Sequence, residues 1–420
     1  MPTTRIFKNS CLPSRLRTVN ENEKRILTVL NQSGPATRKE ISRACGISWA
    51  STVKLVARLE AKGFIRCLGN SDTKTENGKT SLVYALSETR PLAIGIDVEY
   101  SRTRIAVYNL RRETFYHDTV PTEPLNDVAD LIAFLNRLVK RCQTELENRD
   151  LTIEGVGVGI PSWLIPSKKP IFNPVARGLS EACGLPVVVD NNTRSFTLYL
   201  QRKYGIGGSF AVFVIRKGVG IGIAIRGELY RGEDGLAGEL GHLTIDPSGP
   251  LCRCGKHGCV ETFFNEDLLA QAWKDHRSSD GISINREKAK SDTDRELLEE
   301  LFSKASEGSA QAKEVLSRSG MYLGRAISAL SLAMDIRRII LAGHFGPDAA
   351  YLIHLIEDHL KKELHPRFRH TVSYESLDDE GFLIGASMLF LSSYCDYRVL
   401  GNREERGQPS GGDLAVSQNF

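Results

Sequence analysis

Apolar positions recur along this chain with two different periods. Ile26, Leu27, Val29 and Leu30 mark a helix over residues 20–32, stopped by Ser33-Gly34-Pro35. Thr37 is placed to cap a second helix, 38–45, and Glu40 at its third position completes a capping box. Gly46 makes a tight turn, and Ser48 caps a third helix that runs to Lys62. Residues 66–68 and 81–86 then read as strands, joined by a link over 70–80 that carries Lys74, Gly78 and Lys79. Beyond a short linker, alternation gives way to buried-strand runs at 92–97 and 104–109. An amphipathic helix follows at 127–147, then strands at 154–160 and 186–189, and a helix at 195–204. Residues 210–216 and 220–226 form a hairpin pattern across Lys217-Gly218-Val219. The remaining periodicity gives helices at 266–276, 295–307, 311–334, 349–364 and 381–394, with one strand at 338–342.

The first five elements have the order of a winged helix–turn–helix. On the third helix, Leu55, Val56 and Leu59 can face inward, which turns Ser48, Trp49, Ser51, Lys54 and Arg58 outward. Short polar side chains near the helix start suit base edges. Lys54 and Arg58 suit phosphates, and Lys74 and Lys79 lie on the wing, which runs along a duplex. A helical domain that binds protein or dimerises has the same pattern, and charge separates the two. Residues 1–90 hold 16 Lys and Arg against 7 Asp and Glu, while the remaining residues hold 39 against 44. A basic head on a mildly acidic body points to a polyanion contact confined to the head.

With 420 residues, 41% apolar and 25% charged, the chain has room for two or three ordinary globular domains. The organisation expected is a flexible arm over 1–19, a DNA-binding head over 20–88, a large α/β domain over 89–398 and a disordered tail over 399–420. No apolar run approaches the roughly 20 residues of a membrane helix, and residues 1–20 lack an apolar signal core, so the expected compartment is the cytoplasm.

The densest chemistry lies between Gly238 and Glu261. Cys252, Cys254 and Cys259 crowd into eight residues, and His242 stands ten residues before the first. Three thiols and an imidazole make a four-ligand set for tetrahedral Zn²⁺. The other six of the nine cysteines are scattered, as in a reduced cytosol. Glu239 and Glu261 bracket the cluster. A metal that fixes the backbone between them also fixes their separation, which suits a small polyhydroxylated ligand such as a sugar.

These residues together resemble the ROK family of repressors, open reading frames and sugar kinases. The resemblance rests on Gly-Glu-Leu-Gly-His242 and on Cys252-Arg-Cys-Gly-Lys-His-Gly-Cys259-Val-Glu261 behind a winged helix, over about residues 20–398. It implies an actin-like, ribonuclease-H-like two-lobed fold with a sugar cleft, and homodimers or homotetramers. It implies structural zinc on His242, Cys252, Cys254 and Cys259. It also implies sugar contacts from Glu239, Glu261, His242, Asn191, Asn192 and, in the Pro161-Ser162-Trp163 turn, Ser162.

The departures from the family pattern bear on function. Asn192 stands where the family's kinases carry the aspartate base, and an amide is no general base near neutral pH. Sliding the register to nominate Asp190 would take Asn191 from its sugar role. The glycine-rich phosphate loop is replaced by Asp97-Val98-Glu99-Tyr100-Ser101, where Tyr100 would block backbone approach and Glu99 would repel an anion. The second loop reads Gly218-Val219-Gly220, without its usual hydroxyl. The expectation is a sugar-responsive transcriptional regulator, a repressor acting on operator DNA, without kinase activity. The alternative is a sugar kinase that also binds DNA.

Overall fold

The computed structural model describes residues 19–70, 81–165, 167, 170–279, 294–346 and 349–396. Lys74, Lys79, nearly all of the expected arm and the expected tail lie outside them.

The head contains α1 (Glu21–Ser33), β1 (Ala36–Thr37), α2 (Arg38–Cys45), α3 (Trp49–Ala61), β2 (Ile65–Asn70) and β3 (Leu82–Leu86). The sheet order is β1-β3-β2. Each helix start is chemically specified. Asn20 with Glu23 and Thr37 with Glu40 form reciprocal capping boxes, and Ser48 Oγ accepts from Ser51 N. Gly46 ends α2 at φ 63°, a left-handed conformation that glycine adopts without Cβ strain.

The body carries two five-stranded sheets. The first contains β4 (Leu92–Val98), β5 (Arg102–Tyr108), β6 (Thr114–Pro121), β7 (Ile153–Ile160) and β8 (Val187–Asn191), with α4 (Val128–Glu147), α5 (Phe172–Cys183) and α6 (Asn192–Lys203). The second contains β9 (Phe210–Ile215), β10 (Val219–Ile225), β11 (Glu228–Leu229), β12 (Arg338–Gly343) and β13 (Thr371–Ser376). Its helices are α7 (Glu266–Ser279), α8 (Asp294–Ser306), α9 (Ala310–Met334) and α10 (Ala350–Glu363). The strand orders are β6-β5-β4-β7-β8 and β11-β10-β9-β12-β13. Each sheet starts with an antiparallel meander and adds two parallel strands on the other side of its first strand. The two halves therefore repeat one topology, the two-lobed arrangement that the resemblance implies.

Several expectations are corrected here. The α6 helix begins at Asn192 rather than 195, because Asn191 Oδ1 accepts from Thr193 N and starts the helix directly at the strand end. The strands β6 and β13 and the helix α5 fall in stretches left without a regular element by the sequence pattern.

The last helix, α11 (Asp379–Leu391), joins lobe, cleft and head. All its residues from Gly381 to Leu391 are buried. It lies against β4 and β7 so closely that a Cβ at Gly157 would stand 1.8 Å from the Ala386 carbonyl oxygen, and one at Gly95 2.2 Å from that of Leu383. Past its end, Tyr394 and Cys395 join a hydrophobic core continuous with Ile26, Leu30, Phe64 and Leu86 of the head. Among the described residues, no helix is long and apolar enough to cross a membrane.

Candidate ligand cleft, metal centre and nucleic-acid face

Between the lobes lies a cavity of about 130 Å³ lined by residues that both halves contribute. From the first lobe come the turn after β7, with Ser162 and Trp163, and the β8–α6 junction, with Asn191 and Asn192. From the second come Glu239, His242, Arg253 and Glu261. All six residues expected to meet a sugar thus line one cavity.

Their polar atoms form a connected chain. Asn191 Nδ2 donates to Ser162 Oγ at 2.9 Å, and Ser162 Oγ donates to Glu239 Oε1 at 2.7 Å. The indole N–H of Trp163 donates to Glu239 Oε2 at 3.0 Å. The Trp163 ring also stands edge-on to His242, with centroids 5.1 Å apart. Glu261, 6% exposed, accepts from Arg253 Nε at 3.0 Å. Asn192 is 9% exposed and opens α6 at the cavity wall. Asp190, the displaced-register candidate for a base, is buried between Arg194 Nε at 2.5 Å and Arg231 Nε at 2.7 Å. Burial would raise its carboxyl, but the two guanidiniums outweigh that and hold it below its ordinary value. Asp190 is therefore an anchor of the strand–helix junction and faces no open space as a base.

His242, Cys252, Cys254 and Cys259 present four donor atoms that all lie within 4.8 Å of one another. Cys254 Sγ is 3.6 Å from Cys259 Sγ, and Cys252 Sγ is 3.4 Å from His242 Nδ1. These separations suit donors that share one metal ion and are far from a disulfide length of about 2.05 Å. Burial holds the His242 imidazole below its ordinary value, which keeps it neutral with a lone pair to donate. Its Nδ1 faces the thiols while Nε2 faces Glu239 Oε2, 3.8 Å away. The set can hold a metal ion, and its histidine touches both the metal position and the cleft.

Beside the cleft, Asp97, Glu99 and Asp379 interleave with Arg102, Arg104 and Arg216. Arg104 reaches Asp97 at 2.5 Å and also pairs with Glu99 and Asp379. Arg216, from the second lobe, reaches Glu99 at 2.8 Å and Asp379 at 3.6 Å, and its guanidinium lies 4.0 Å from the Phe382 ring centroid. Burial pushes the Asp97 carboxyl up against the pull of Arg216 and Arg104. The expectation that Glu99 repels anions needs amending, since Arg102, Arg104 and Arg216 all pair with it. Glu99 is thus held in an ion-pair cluster at the edge of the cavity. Tyr100 bridges the cleft, its hydroxyl donating to the Trp163 carbonyl at 3.2 Å and its ring 5.5 Å from the Arg253 guanidinium.

On α3, Trp49, Ser48, Ser51, Lys54 and Arg58 are all exposed. Val56 and Leu59 are buried as expected, while Leu55 is partly buried. Arg58 does more than face solvent. Its Nε donates to Glu23 Oε1 at 2.5 Å, tying α3 to the buried capping glutamate of α1. Sequence reasoning missed Arg216, Arg253 and Phe382 as cleft residues, and Asp379 as the partner of Arg216 beside them. Arg253, set between two metal-type cysteines, carried the one visible signal.

The ROK family profile matches residues 93–393, and a profile described as winged helix-turn-helix DNA-binding matches residues 19–66. The chain is 21% identical over 393 residues to a xylose repressor of Bacillus spizizenii, covering 89% of this chain and 96% of that one. It is 26% identical over 315 residues to a glucokinase of Halalkalibacterium halodurans, covering 70% and 94%. A crystal structure of a ROK family transcriptional regulator, homologous to the Escherichia coli MLC protein, superposes with a TM-score of 0.72 at 20% identity, over 90% of this chain and 97% of that one. By the extent of the profile match and the architecture that carries it, this chain belongs to the ROK family.

Proposed function

We propose that this protein is a sugar-responsive DNA-binding transcriptional regulator, a repressor of carbohydrate-metabolism genes, with no kinase activity. One observation carries the reading: α11 starts at the inter-lobe cleft, and the residues just past its end pack against the winged helix. At its first residues Asp379 pairs with Arg104, and Arg216 lies over Phe382. Past its other end, the Ser392 carbonyl accepts from Lys24 Nζ, Asp396 N donates to Thr28 Oγ1 at 2.8 Å and Asn31 Nδ2 donates to Cys395 Sγ. A change in lobe closure at the cleft thus bears on the element that seats the DNA head. Repressors of sugar genes among the relatives support the same reading.

In this reading Ser162, Asn191, Asn192, Glu239, His242 and Glu261 take the sugar hydroxyls, which replace the internal bonds now linking them. Zn²⁺ on His242, Cys252, Cys254 and Cys259 is structural: it holds the Glu239–Glu261 segment in one shape. Ser48, Trp49, Ser51 and Lys54 face the operator, with Lys74 and Lys79 on the wing. Arg58 positions α3 through Glu23 and offers its remaining donors to phosphate. A homodimer or homotetramer would present two heads to a two-fold operator. The ligand shifts the population between DNA-competent and incompetent arrangements.

The glucokinase relative keeps a kinase reading open for the same fold. Two features weigh against it: Asn192 at the base position, and the Asp97–Arg104–Glu99–Arg216–Asp379 cluster at the phosphate loop. A thermal-shift screen of sugars and sugar phosphates, followed by operator binding with any hit, tests the proposal. A stabilising sugar that alters operator affinity is the supporting result. ADP release with a sugar substrate would favour the kinase instead.

A further inference from the structure

We infer that Trp49 reads the C5-methyl group of a thymine in the major groove, which makes the indole a specificity-determining contact of this protein. The inference rests on the DNA-binding reading above. It starts from what the first turn of α3 offers, since that turn enters the groove in a helix–turn–helix.

The turn offers very little hydrogen-bonding reach. Thr52 is buried, and its hydroxyl donates to the Ser48 carbonyl at 3.0 Å. Ser48 Oγ donates to Ser51 Oγ at 3.0 Å, which leaves the single Ser51 hydroxyl proton to donate from this pair. No Arg, Lys, Asn or Gln occupies residues 48–53, and Lys54 begins the next turn. The bidentate pairs that identify guanine or adenine therefore have no donor here.

What the turn does present is apolar surface. Trp49 is 57% exposed and lies next to the exposed Ala50. An indole left this open at the leading end of a recognition helix, within a basic head, has a partner of complementary chemistry in the groove. Among the four bases, only thymine carries an apolar group on its major-groove edge, the C5-methyl. The indole face can cover that methyl and exclude water from both.

The test uses full-length protein and a duplex that the wild type selects from a randomised library. Each thymine is replaced in turn by uracil, which removes the methyl and leaves the base pairing intact. Wild-type affinity should fall about fourfold at one position of each half-site, the fold-change of one buried methyl. Trp49→Ala should bind more weakly and bind the thymine and uracil duplexes equally. Trp49→Phe should retain part of the discrimination, and unchanged melting temperatures would show that both variants are folded. Wild-type indifference to every uracil substitution overturns the inference, as does undiminished discrimination by Trp49→Ala. If the wild type selects no duplex at all, the DNA-binding reading itself fails.

Discussion

The ring of Tyr394 stands edge-on to that of Phe64, with centroids 5.2 Å apart and planes at 70°. Phe64 lies between α3 and β2 in the winged helix, and Tyr394 lies just past α11, whose other end pairs with cleft residues. The inter-lobe cleft and the winged helix are thus linked through one buried helix. The contact is edge-to-face, the arrangement aromatic quadrupoles favour.

The seat of that helix is open to a direct test. Gly157→Ala would drive a Cβ into the Ala386 carbonyl and push α11 off the sheet. We expect a stability loss of about 1–3 kcal/mol, as for overpacked cores. Sugar response and operator affinity should change together. Denaturant unfolding with operator titration checks this, and a variant with unaltered operator response would place the coupling elsewhere.

Phosphoryl transfer needs a base and an approachable phosphate loop. Asn192 supplies no base, and Glu99 of the loop is held in ion pairs with Arg104 and Arg216. No ADP should be released above background with any sugar. Asn192→Asp alone should also leave the protein inactive, because Glu99 and Tyr100 still stand where the glycines of a phosphate loop would. Turnover by either protein in a coupled assay would contradict this.

The metal claim is quantitative. Elemental analysis should find one zinc per chain, and Cys252→Ser should lose it along with a sharp drop in melting temperature. Since His242 faces both the thiols and Glu239, sugar affinity should fall with the metal. Full zinc content in the variant would remove Cys252 from the ligand set.

Acid should loosen the head through Glu23. Burial raises this carboxyl, but hydrogen bonds from Arg58 and the Asn20 backbone, together with Lys62, outweigh it and hold it below its ordinary 4.5. A depressed value in the fold means stability that is fully present above the ordinary carboxylate range. It is lost as pH falls through the folded value. Glu23→Gln should be less stable at neutral pH and should show a shallower loss on acidification, measured by head unfolding. A parallel pH profile in the variant would assign the acid sensitivity to other groups.

The elements legible in the sequence were those whose own pattern specifies them. The three head helices carry caps and apolar stripes, and α11 is almost wholly apolar after its first turn. The missed helix α5 contains Pro174 and Gly178, which read as breakers. Pro174 sits in the first turn, where its missing N–H matters least. Gly178 is where Ile132 of α4 packs, since a Cβ there would meet its Cδ1 at 2.4 Å. The strands β6 and β13 are sheet edges, half solvated and polar, so they lack a buried-strand run. Glu239, His242 and Glu261 stood out because they flank the cysteine cluster locally. Arg216 and Asp379 lie 163 residues apart, and only tertiary folding brings them to one ion-pair cluster.

The most direct measurement of the central claim is operator affinity with and without a sugar that thermally stabilises the protein, at fixed salt. Coupling between the cleft and the winged helix predicts a change of about 5- to 150-fold at saturating sugar. It also predicts that operator DNA shifts sugar affinity by the same factor. Equal operator affinity with the cleft empty and saturated would contradict the account.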